Sequence, residues 1–531
     1  MEKRVLIAVL LSIAVMYGFS FLFPQPPVQP AKTSIVQTAS SSSRQAQTAK
    51  VPSGSGPVQT AAVLPTQQGE EKDVSVETDL YRAVFTSKGG ALKRFVLKSY
   101  RETALPGSAE ITLVDGANST LTTSGEGFLV DQNAQFSTSS PASIRLTGAE
   151  KKELEFVWTS AQGVVLRKVY SFTGNDYGMQ LVQQLSSVGA AQLVGTLRLS
   201  LLNKVIPGNK EGRYEVYGPV TLADNKAAAV PVADLAKGAK SYDKQVTWTG
   251  FADKYFLNSV IAKDASIASV KVSQLNPALV ESVISSPKIT LDPGQSVATA
   301  YRIYFGPKDL DILKSQGNRL EESIDFGWFS ALAKPLLHTI KFFKNYVGNY
   351  GLAIIIITII LKILFYPLTH TSYKSMKEMQ KLQPKMQELK DKFKNDKDAM
   401  NRAVMELYKT HKVNPLGGCL PMLIQIPVFF ALYKGLMFSI ELRHAPFYFW
   451  IQDLSAKDPY YVTPIIMGVT MFIQQKMTPT NMDPMQAKMM LMLPVVFTFM
   501  FLNFPSGLVL YWLVNNILTI AQQSYINRTV K

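Results

Sequence analysis

Read for the alternation of apolar and polar positions, the chain changes period twice. Met1, Glu2, Lys3 and Arg4 precede an uncharged apolar run from Val5 to Phe23, which as a helix is long enough to cross the ~30 Å hydrocarbon core of a bilayer. Its length, and Pro24, Gln25, Pro26 and Pro27 where a small-residue cleavage site would stand, read as a retained transmembrane signal anchor over 1–23. Lys3 and Arg4 keep its N-terminus in the cytoplasm. Residues 24–70 consist mostly of Pro, Gln, Ser, Thr and Ala. So few large apolar side chains cannot offset the entropy of ordering, and a disordered linker is expected.

From 71 to 317 the period is two. Leu154, Phe156 and Trp158 alternate with Glu155, Val157 and Thr159 before the break at Ala161, Gln162 and Gly163. Such alternation marks a strand with one buried face. Val164 to Phe172 reads as the next strand, Gly174, Asn175 and Asp176 as a turn, and Gln180 to Leu185 as a third strand. Leu197, Leu199 and Leu201, then Val246 and Trp248, then Tyr301, Ile303 and Phe305 continue the theme. A large antiparallel β-sandwich follows. The region contains no histidine and no carboxylate pair whose placement can be argued for glycosidic chemistry. A docking or spacing domain is the economical reading.

From 318 onward the period becomes helical. Over 318–346, Ile324, Trp328, Phe329, Leu332, Leu336, Leu337 and Ile340 recur at three- and four-residue spacing, with Lys334, Lys341 and Lys344 interspersed. This pattern predicts an amphipathic helix lying in the membrane interface, broken or kinked at Pro335. Apolar spans follow at 350–368, 416–438, 461–477 and 489–523, separated by a basic hairpin over 369–415, a periplasmic loop over 439–460 and a cytoplasmic loop over 478–488. The fourth span is short, which suits a locally thinned bilayer. The expected fold is therefore a polytopic α-helical membrane protein with five transmembrane helices and a large periplasmic antiparallel β-sandwich.

Charge orients these elements. The chain is 47% hydrophobic yet carries a net charge of +16, so its basic residues are segregated. Lys374, Lys377, Lys381, Lys385, Lys390, Lys392, Lys394, Lys397, Arg402, Lys409 and Lys412 crowd the stretch 369–415, against Arg443 and Lys457 in 439–460. That asymmetry puts the hairpin, the N-terminus and the tail 524–531 in the cytoplasm and the sandwich outside. Within the basic stretch, Met376, Met379, Leu382 and Met386, then Met400, Val404, Leu407 and Tyr408, predict two amphipathic helices joined near Asn395 to Asp398. Their thioethers either pack the hairpin or meet varied apolar partners. The single cysteine, Cys419, and four scattered histidines, His338, His370, His411 and His444, leave no disulfide framework and no legible metal site.

The candidate chemistry lies in polar residues inside the spans. Lys362 sits in the second span, where an ionisable side chain costs at least ~2.5 to 3.5 kcal/mol unless it finds water or a partner. It either snorkels past Ile363, Leu364 and Phe365 to the surface or faces a wet cavity. Thr358 is one turn earlier on the same face, Gln425 lies in the third span, and Thr463, Thr470 and Gln474 stripe the fourth. Tyr511, Asn515, Thr519 and Gln522 stripe the fifth. Single polar residues of this kind usually join helices, but four polar-faced spans together suggest a hydrated groove. Its expected lining is Lys362, Thr358, Gln425, Gln474, Tyr511 and Asn515, with no catalytic residue, no metal and no cofactor. No acidic residue lies deep in these spans to neutralise Lys362, so the groove would attract negative charge.

Several ordered motifs carry a resemblance. Tyr366, Pro367, Leu368, Thr369, then Leu382, Gln383, Pro384, Lys385, then Asn414, Pro415, Leu416, Gly417, Gly418, Cys419, then Phe504, Pro505, Ser506, Gly507, Leu508 resemble the YidC membrane protein insertases. These are relatives of the oxidase-assembly-type insertases of mitochondria and chloroplasts. Tyr346 to Pro367 and Asp453 to Lys476 are similar too, so the resemblance covers essentially all of Ile324 to Gln523. The N-terminal half resembles the Gram-negative form, whose periplasmic domain is a β-supersandwich. The resemblance implies an inner-membrane, non-enzymatic insertase and chaperone, working alone or beside the Sec translocon. Its groove would open to cytoplasm and lipid and close on the outside, taking the polar tail of a substrate while the apolar segment slides along spans three and five. The groove arginine of the family falls on Lys362, which keeps the charge and loses the planar fork. The implied partners are nascent membrane proteins, the lipid bilayer, the Sec translocon, the ribosome and the signal recognition particle receptor, the last two through the hairpin and basic tail. No nucleic acid beyond that of the ribosome is implied. A secondary transporter with a midplane polar site is the reading from another class, although such folds show repeated halves that these spans lack.

Overall fold

The computed structural model describes residues 70–206, 217–264, 266–393, 396–411, 413, 420–478 and 484–529. The signal anchor, nearly all of the linker, and Asn414 to Cys419 lie outside them. The described residues fall into two units, one within Leu64–Lys381 and Asn414–Lys531, the other Leu382–Val413.

The alternation in the first half produces the strands it predicts. Lys151–Thr159 buries Leu154 and Phe156 and pairs antiparallel with Val164–Thr173, with Leu154 opposite Tyr170. Next come Gly178–Ser187, Ser296–Pro307, Phe256–Lys263, Trp248–Ala252, Gly218–Ala223 and Lys226–Ala229, completing an eight-stranded antiparallel sheet. A five-stranded sheet runs Glu110–Thr120, Ala91–Arg101, Tyr81–Thr86, Asp73–Glu77 and Ser143–Arg145, and its last pairing is parallel. The inner faces of these two sheets meet through aromatic rings. Phe85 lies 4.7 Å from Tyr170 and 5.5 Å from Phe172, and Phe95 meets Phe305 edge-on at 5.5 Å. All five rings are essentially inaccessible, and burying each stabilises the fold by roughly 1.5–3 kcal/mol. A third, six-stranded sheet is built on Leu193–Lys204.

One polar residue of this core is unexpected. Lys168 is wholly buried, and its Nζ donates to the carbonyls of Gly89 at 3.0 Å and Leu121 at 2.8 Å. Burial pulls its ammonium down to about 7. Two carbonyls meet its N–H donors, so among the described residues it ties the sheets together without a counterion.

The sandwich leads into α1 (Leu310–Gln316), capped by Asp309, which accepts from the amides of Asp311 and Ile312. The expected interfacial helix is α2 (Ser330–Val347), which buries Ala333, Leu337 and Ile340 and exposes Phe342 and Tyr346. It is not broken at Pro335, which lies inside it. That proline stands in the second turn, so the helix gives up a single hydrogen bond near its end. Lys341 of α2 lies 3.2 Å from Asp309, 2.7 Å from Asp311 and 2.5 Å from Glu441. Burial opposes the charge of Lys341, but these three carboxylates outweigh it and raise the ammonium above its usual range. The cluster fastens the sandwich to the helical half.

The helical half departs from the expected spans in two places. The span expected over 350–368 ends early: α3 (Tyr350–Leu364) is followed by α4 (Tyr366–Lys381), bent from it by 60°. Pro367 supplies no amide to Ile363, and its ring disfavours helical backbone just before it. Consequently the helix expected to carry Met376, Met379, Leu382 and Met386 is two helices, the first two residues on α4 and Met386 on α5 (Gln383–Lys392). The second unit pairs α5 with α6 (Lys397–Thr410) as the expected hairpin, held in part by the Tyr408 hydroxyl donating to Met386 Sδ at 2.9 Å.

After α7 (Leu420–Phe438) and α8 (Val462–Met477), the segment 489–523 forms two helices in place of one span. They are α9 (Pro484–Phe501) and α10 (Ser506–Thr529), turned about Leu502 to Pro505. Trp512 of α10 lies 5.0 Å from Phe501 and 6.2 Å from Phe497 of α9, so the chain reverses there. A single helix over 489–523 would be about 50 Å long, well beyond ~30 Å of hydrocarbon. An odd count of five spans also leaves the two termini on opposite sides, at odds with the expectation of both in the cytoplasm. No single described helix is both long and apolar enough to cross a membrane, and α3 with α4 qualifies only as a bent pair.

Candidate functional site

The cleft that draws the polar residues together lies between α3, the start of α4, α7 and α10. Asn349 caps α3 by accepting from the Leu352 amide at 3.2 Å, and the run Ile354 to Leu361 packs one side into the bundle. This sets Thr358 and Lys362, one turn apart, on the face turned toward α10. Thr358, Leu361, Lys362, Phe365, Leu368, Thr369, Gln425, Val428, Tyr511 and Asn515 line a cavity of ≈ 40 Å³ at its water-accessible heart. At about 10–15 Å³ per water, that space holds roughly three.

Its hydrogen bonds run down one face of α10. Lys362 Nζ donates to the Thr519 hydroxyl at 2.7 Å, and that hydroxyl donates to the Asn515 carbonyl at 2.6 Å. Gln425 Nε2 donates to Asn515 Oδ1 at 2.9 Å, and Gln522 Nε2 to the Lys362 carbonyl at 3.3 Å. Thr358 is 1% exposed and its hydroxyl donates to the Ile354 carbonyl at 2.6 Å, so it adds little polarity. Lys362 is half-buried, and a hydroxyl rather than a carboxylate meets its charge. Ammonium has three N–H donors, which leaves capacity for an anionic group entering the cleft.

The structure thus brings together Lys362, Thr358, Gln425, Tyr511 and Asn515. Gln474 is not among the lining residues, and Thr470 of the same stripe meets a different side of α10. There Asn516 Nδ2 donates to the Thr470 hydroxyl at 3.4 Å and Gln523 Nε2 to the Met477 carbonyl at 2.7 Å. Thr463 donates to Asp458 at 2.6 Å. Thr470 of the α8 stripe joins α8 to α10, and α10 is polar on two faces. Thr519 belongs to the site as the direct partner of Lys362, a role announced only by its place four residues after Asn515. Leu361, Phe365, Leu368 and Val428 supply an apolar wall that no sequence signal separates from ordinary packing. Among the described residues no group of three His, Cys, Asp or Glu side chains is placed to hold a metal.

The chain is similar to known proteins along its whole length. The family model described as 60Kd inner membrane protein matches residues 342–531, and that described as YidC periplasmic domain matches 73–339. The membrane protein insertase YidC of Geotalea daltonii is 60% identical over 538 residues, covering 100% of both chains. The protein of the same name from Geobacter metallireducens is 58% identical over 537 residues, covering 100% of this chain and 99% of that one. The one from Syntrophus aciditrophicus is 47% identical over 543 residues, covering 99% and 100%. Among solved structures, an active YidC insertase with its first transmembrane domain resolved aligns at 18% identity and TM-score 0.35, covering 87% of this chain and 94% of that one. A galactose mutarotase related enzyme from Lactobacillus acidophilus aligns at 10% identity and TM-score 0.33, covering 44% and 97%.

Proposed function

The chain belongs to the YidC family of membrane protein insertases, a non-enzymatic family of inner-membrane proteins with a periplasmic domain, and we propose that it works through the Lys362 cleft. In this reading newly made membrane proteins are the substrates. The cleft hydrates the polar tail of a substrate, Lys362 draws its negative charge inward, and the apolar segment passes into lipid under the hydrophobic effect. The observation that carries the reading is the Lys362 ammonium resting on the Thr519 hydroxyl in a cleft with room for a few waters, with no carboxylate among the described residues that line it.

The topology we propose has six spans: the N-terminal segment, then α3, α7, α8, α9 and α10. Both termini and the α5–α6 hairpin are cytoplasmic, and the sandwich is periplasmic, docked by Lys341. The short α3, 15 residues or about 22 Å, would thin the adjoining ~30 Å bilayer. A thinner barrier shortens the path of the tail. Chaperoning of folding, work beside the Sec translocon, and recruitment of ribosomes or the signal recognition particle receptor by the basic hairpin belong to this proposal. The transporter reading has no favouring observation.

Purified chain in proteoliposomes tests it. A single-span substrate with a short acidic tail should become protease-protected above the level of empty liposomes, and a small solute should not cross. Solute flux without integration would reverse the assignment.

A further inference from the structure

The loop between α7 and α8 presents aromatic rings to its surroundings, apart from the residues that line the Lys362 cleft. Phe449 is 86% exposed, Tyr460 68% and Tyr448 49%. The backbone is left-handed at Phe449, with φ 60°, and at Tyr461, with φ 57°, a region that ring-bearing residues avoid. Strain of this kind persists where the surroundings overdetermine it, and here the framework is visible. Asp458 is 1% exposed and accepts from Trp450 Nε1 at 3.0 Å, the Tyr460 amide at 2.9 Å, and the Thr463 amide and hydroxyl at 2.8 and 2.6 Å.

The loop is also fixed to the ends of several helices. Asn349, ahead of α3, donates to the Pro446 carbonyl at 3.1 Å. Phe447 lies so close to Gly351 that an added Cβ would come within 2.1 Å of its ring. The amides of Ser506 and Gly507, opening α10, donate to the carbonyls of Ala456 at 2.7 Å and Leu454 at 2.9 Å. The loop therefore caps the end of the bundle where α3, α8 and α10 begin and α7 stops, opposite the end bearing Lys362 and Gln522. Phe342 and Tyr346, 54% and 75% exposed, stand just before α3 at the same end.

We propose that Tyr448, Phe449 and Tyr460 seat in the outer leaflet, at the boundary between headgroups and acyl chains, and anchor this cap to lipid. Lipid is the occupant because Tyr460 stands just ahead of α8, whose exposed face is apolar, with Ile465 and Val469 53% and 54% exposed. Aromatic side chains concentrate at that boundary because their rings are apolar and their polarisable edges tolerate water. The neighbouring charges leave the rings clear. Asp458 is saturated, Arg443 lies over the rings of Tyr255 and Phe256 in the sandwich, and Lys457 sits 5.8 Å from the centre of the Tyr461 ring. The inference rests on the reading that these helices span the membrane.

Two labelled full-length chains test it, Cys419→Ser with Phe449→Cys and Cys419→Ser with Tyr460→Cys. Each carries an environment-sensitive fluorophore and is reconstituted in phosphatidylcholine–phosphatidylglycerol vesicles. A label on Leu105→Cys, 71% exposed in the sandwich, marks the aqueous limit. Alkaline carbonate extraction comes first; release of the chain would overturn the spanning reading itself. For a retained chain, both loop labels should emit to the blue of the Leu105 label, lose intensity to lipids bearing a shallow nitroxide, and resist aqueous iodide. Iodide access without nitroxide quenching would overturn the anchor while the spanning reading stands. Shielding from both quenchers would also overturn it, since a protein surface would then cover the rings.

Discussion

Replacing Lys362 by glutamate turns the cation that lines the cleft among the described residues into an anion at the same position. A substrate carboxylate about 6 Å from Nζ gains roughly 0.7 kcal/mol in bulk-water dielectric and ~2.8 kcal/mol at an effective dielectric of 20. The half-buried setting of Lys362 in a cleft with room for only a few waters places the attraction between these bounds, at about 1–2 kcal/mol. Lys362→Met should therefore slow integration of an acidic-tailed substrate by roughly 5- to 30-fold. Lys362→Glu, which replaces attraction with repulsion, should slow it by the square of that factor. Lys362→Arg keeps the charge and should remain within about threefold. The assay is integration into proteoliposomes of paired substrates whose tails differ only by Asp against Asn. The Asn-tailed substrate controls for folding, and all three variants should insert it alike. Equal integration of the acidic tail by the Glu and Arg variants would refute the electrostatic reasoning.

Other consequences concern the supports of the site. Lys168 has a folded value near 7 and an unfolded one near ~10.4, so between these values the unfolded chain binds the extra proton and stability should rise with pH. Urea unfolding followed by Trp248 fluorescence should show a steeper rise between pH 7 and 10 in the native chain than in Lys168→Met. Asp458 is held below the usual carboxylate range: burial works against this, but the Thr463 hydroxyl and amide, the Tyr460 amide and the Trp450 indole prevail. Its contribution is present above the unfolded value near ~3.9 and is lost as pH falls through the lower folded value. Asp458→Asn should cost about 1–3 kcal/mol at neutral pH, read as faster proteolysis within 439–461. Removing 73–307 while keeping Asp309 and Asp311 for Lys341 should leave integration largely intact; complete loss from a stably inserted remainder would contradict a docking role for the sandwich.

The strands were legible because a half-buried sheet imposes a period of two that turns cannot imitate, as at Leu154, Phe156 and Trp158. Lys362 was legible because an ion in an apolar run is expensive wherever it sits. The helix count was not, because 489–523 stays apolar across a turn whose signals, Asn503, Pro505 and Gly507, also occur within membrane helices. Gln474 illustrates a different limit: spacing places a residue on a face without saying which neighbour that face meets. The Lys341 cluster was illegible because its carboxylates come from Asp309, Asp311 and Glu441, brought together only by the fold. Lys168 escaped notice although it stands in phase with Leu166 and Tyr170 on the buried face of its strand, because a lone lysine is ordinarily solvent-facing and the carbonyls that meet it come from Gly89 and Leu121.

The central claim is that the polar cleft, and not the outer surface of the helices, receives the tail of a substrate. Photo-crosslinkers at Gln425 and Asn515 in the cleft, and at Val496 and Ile517 on exposed faces, can be tested against a ribosome-stalled single-span nascent chain. The account predicts that tail residues crosslink to Gln425 and Asn515 and that Lys362→Glu weakens this for an acidic tail. Tail crosslinks confined to Val496 and Ile517, unchanged by Lys362→Glu, would contradict it.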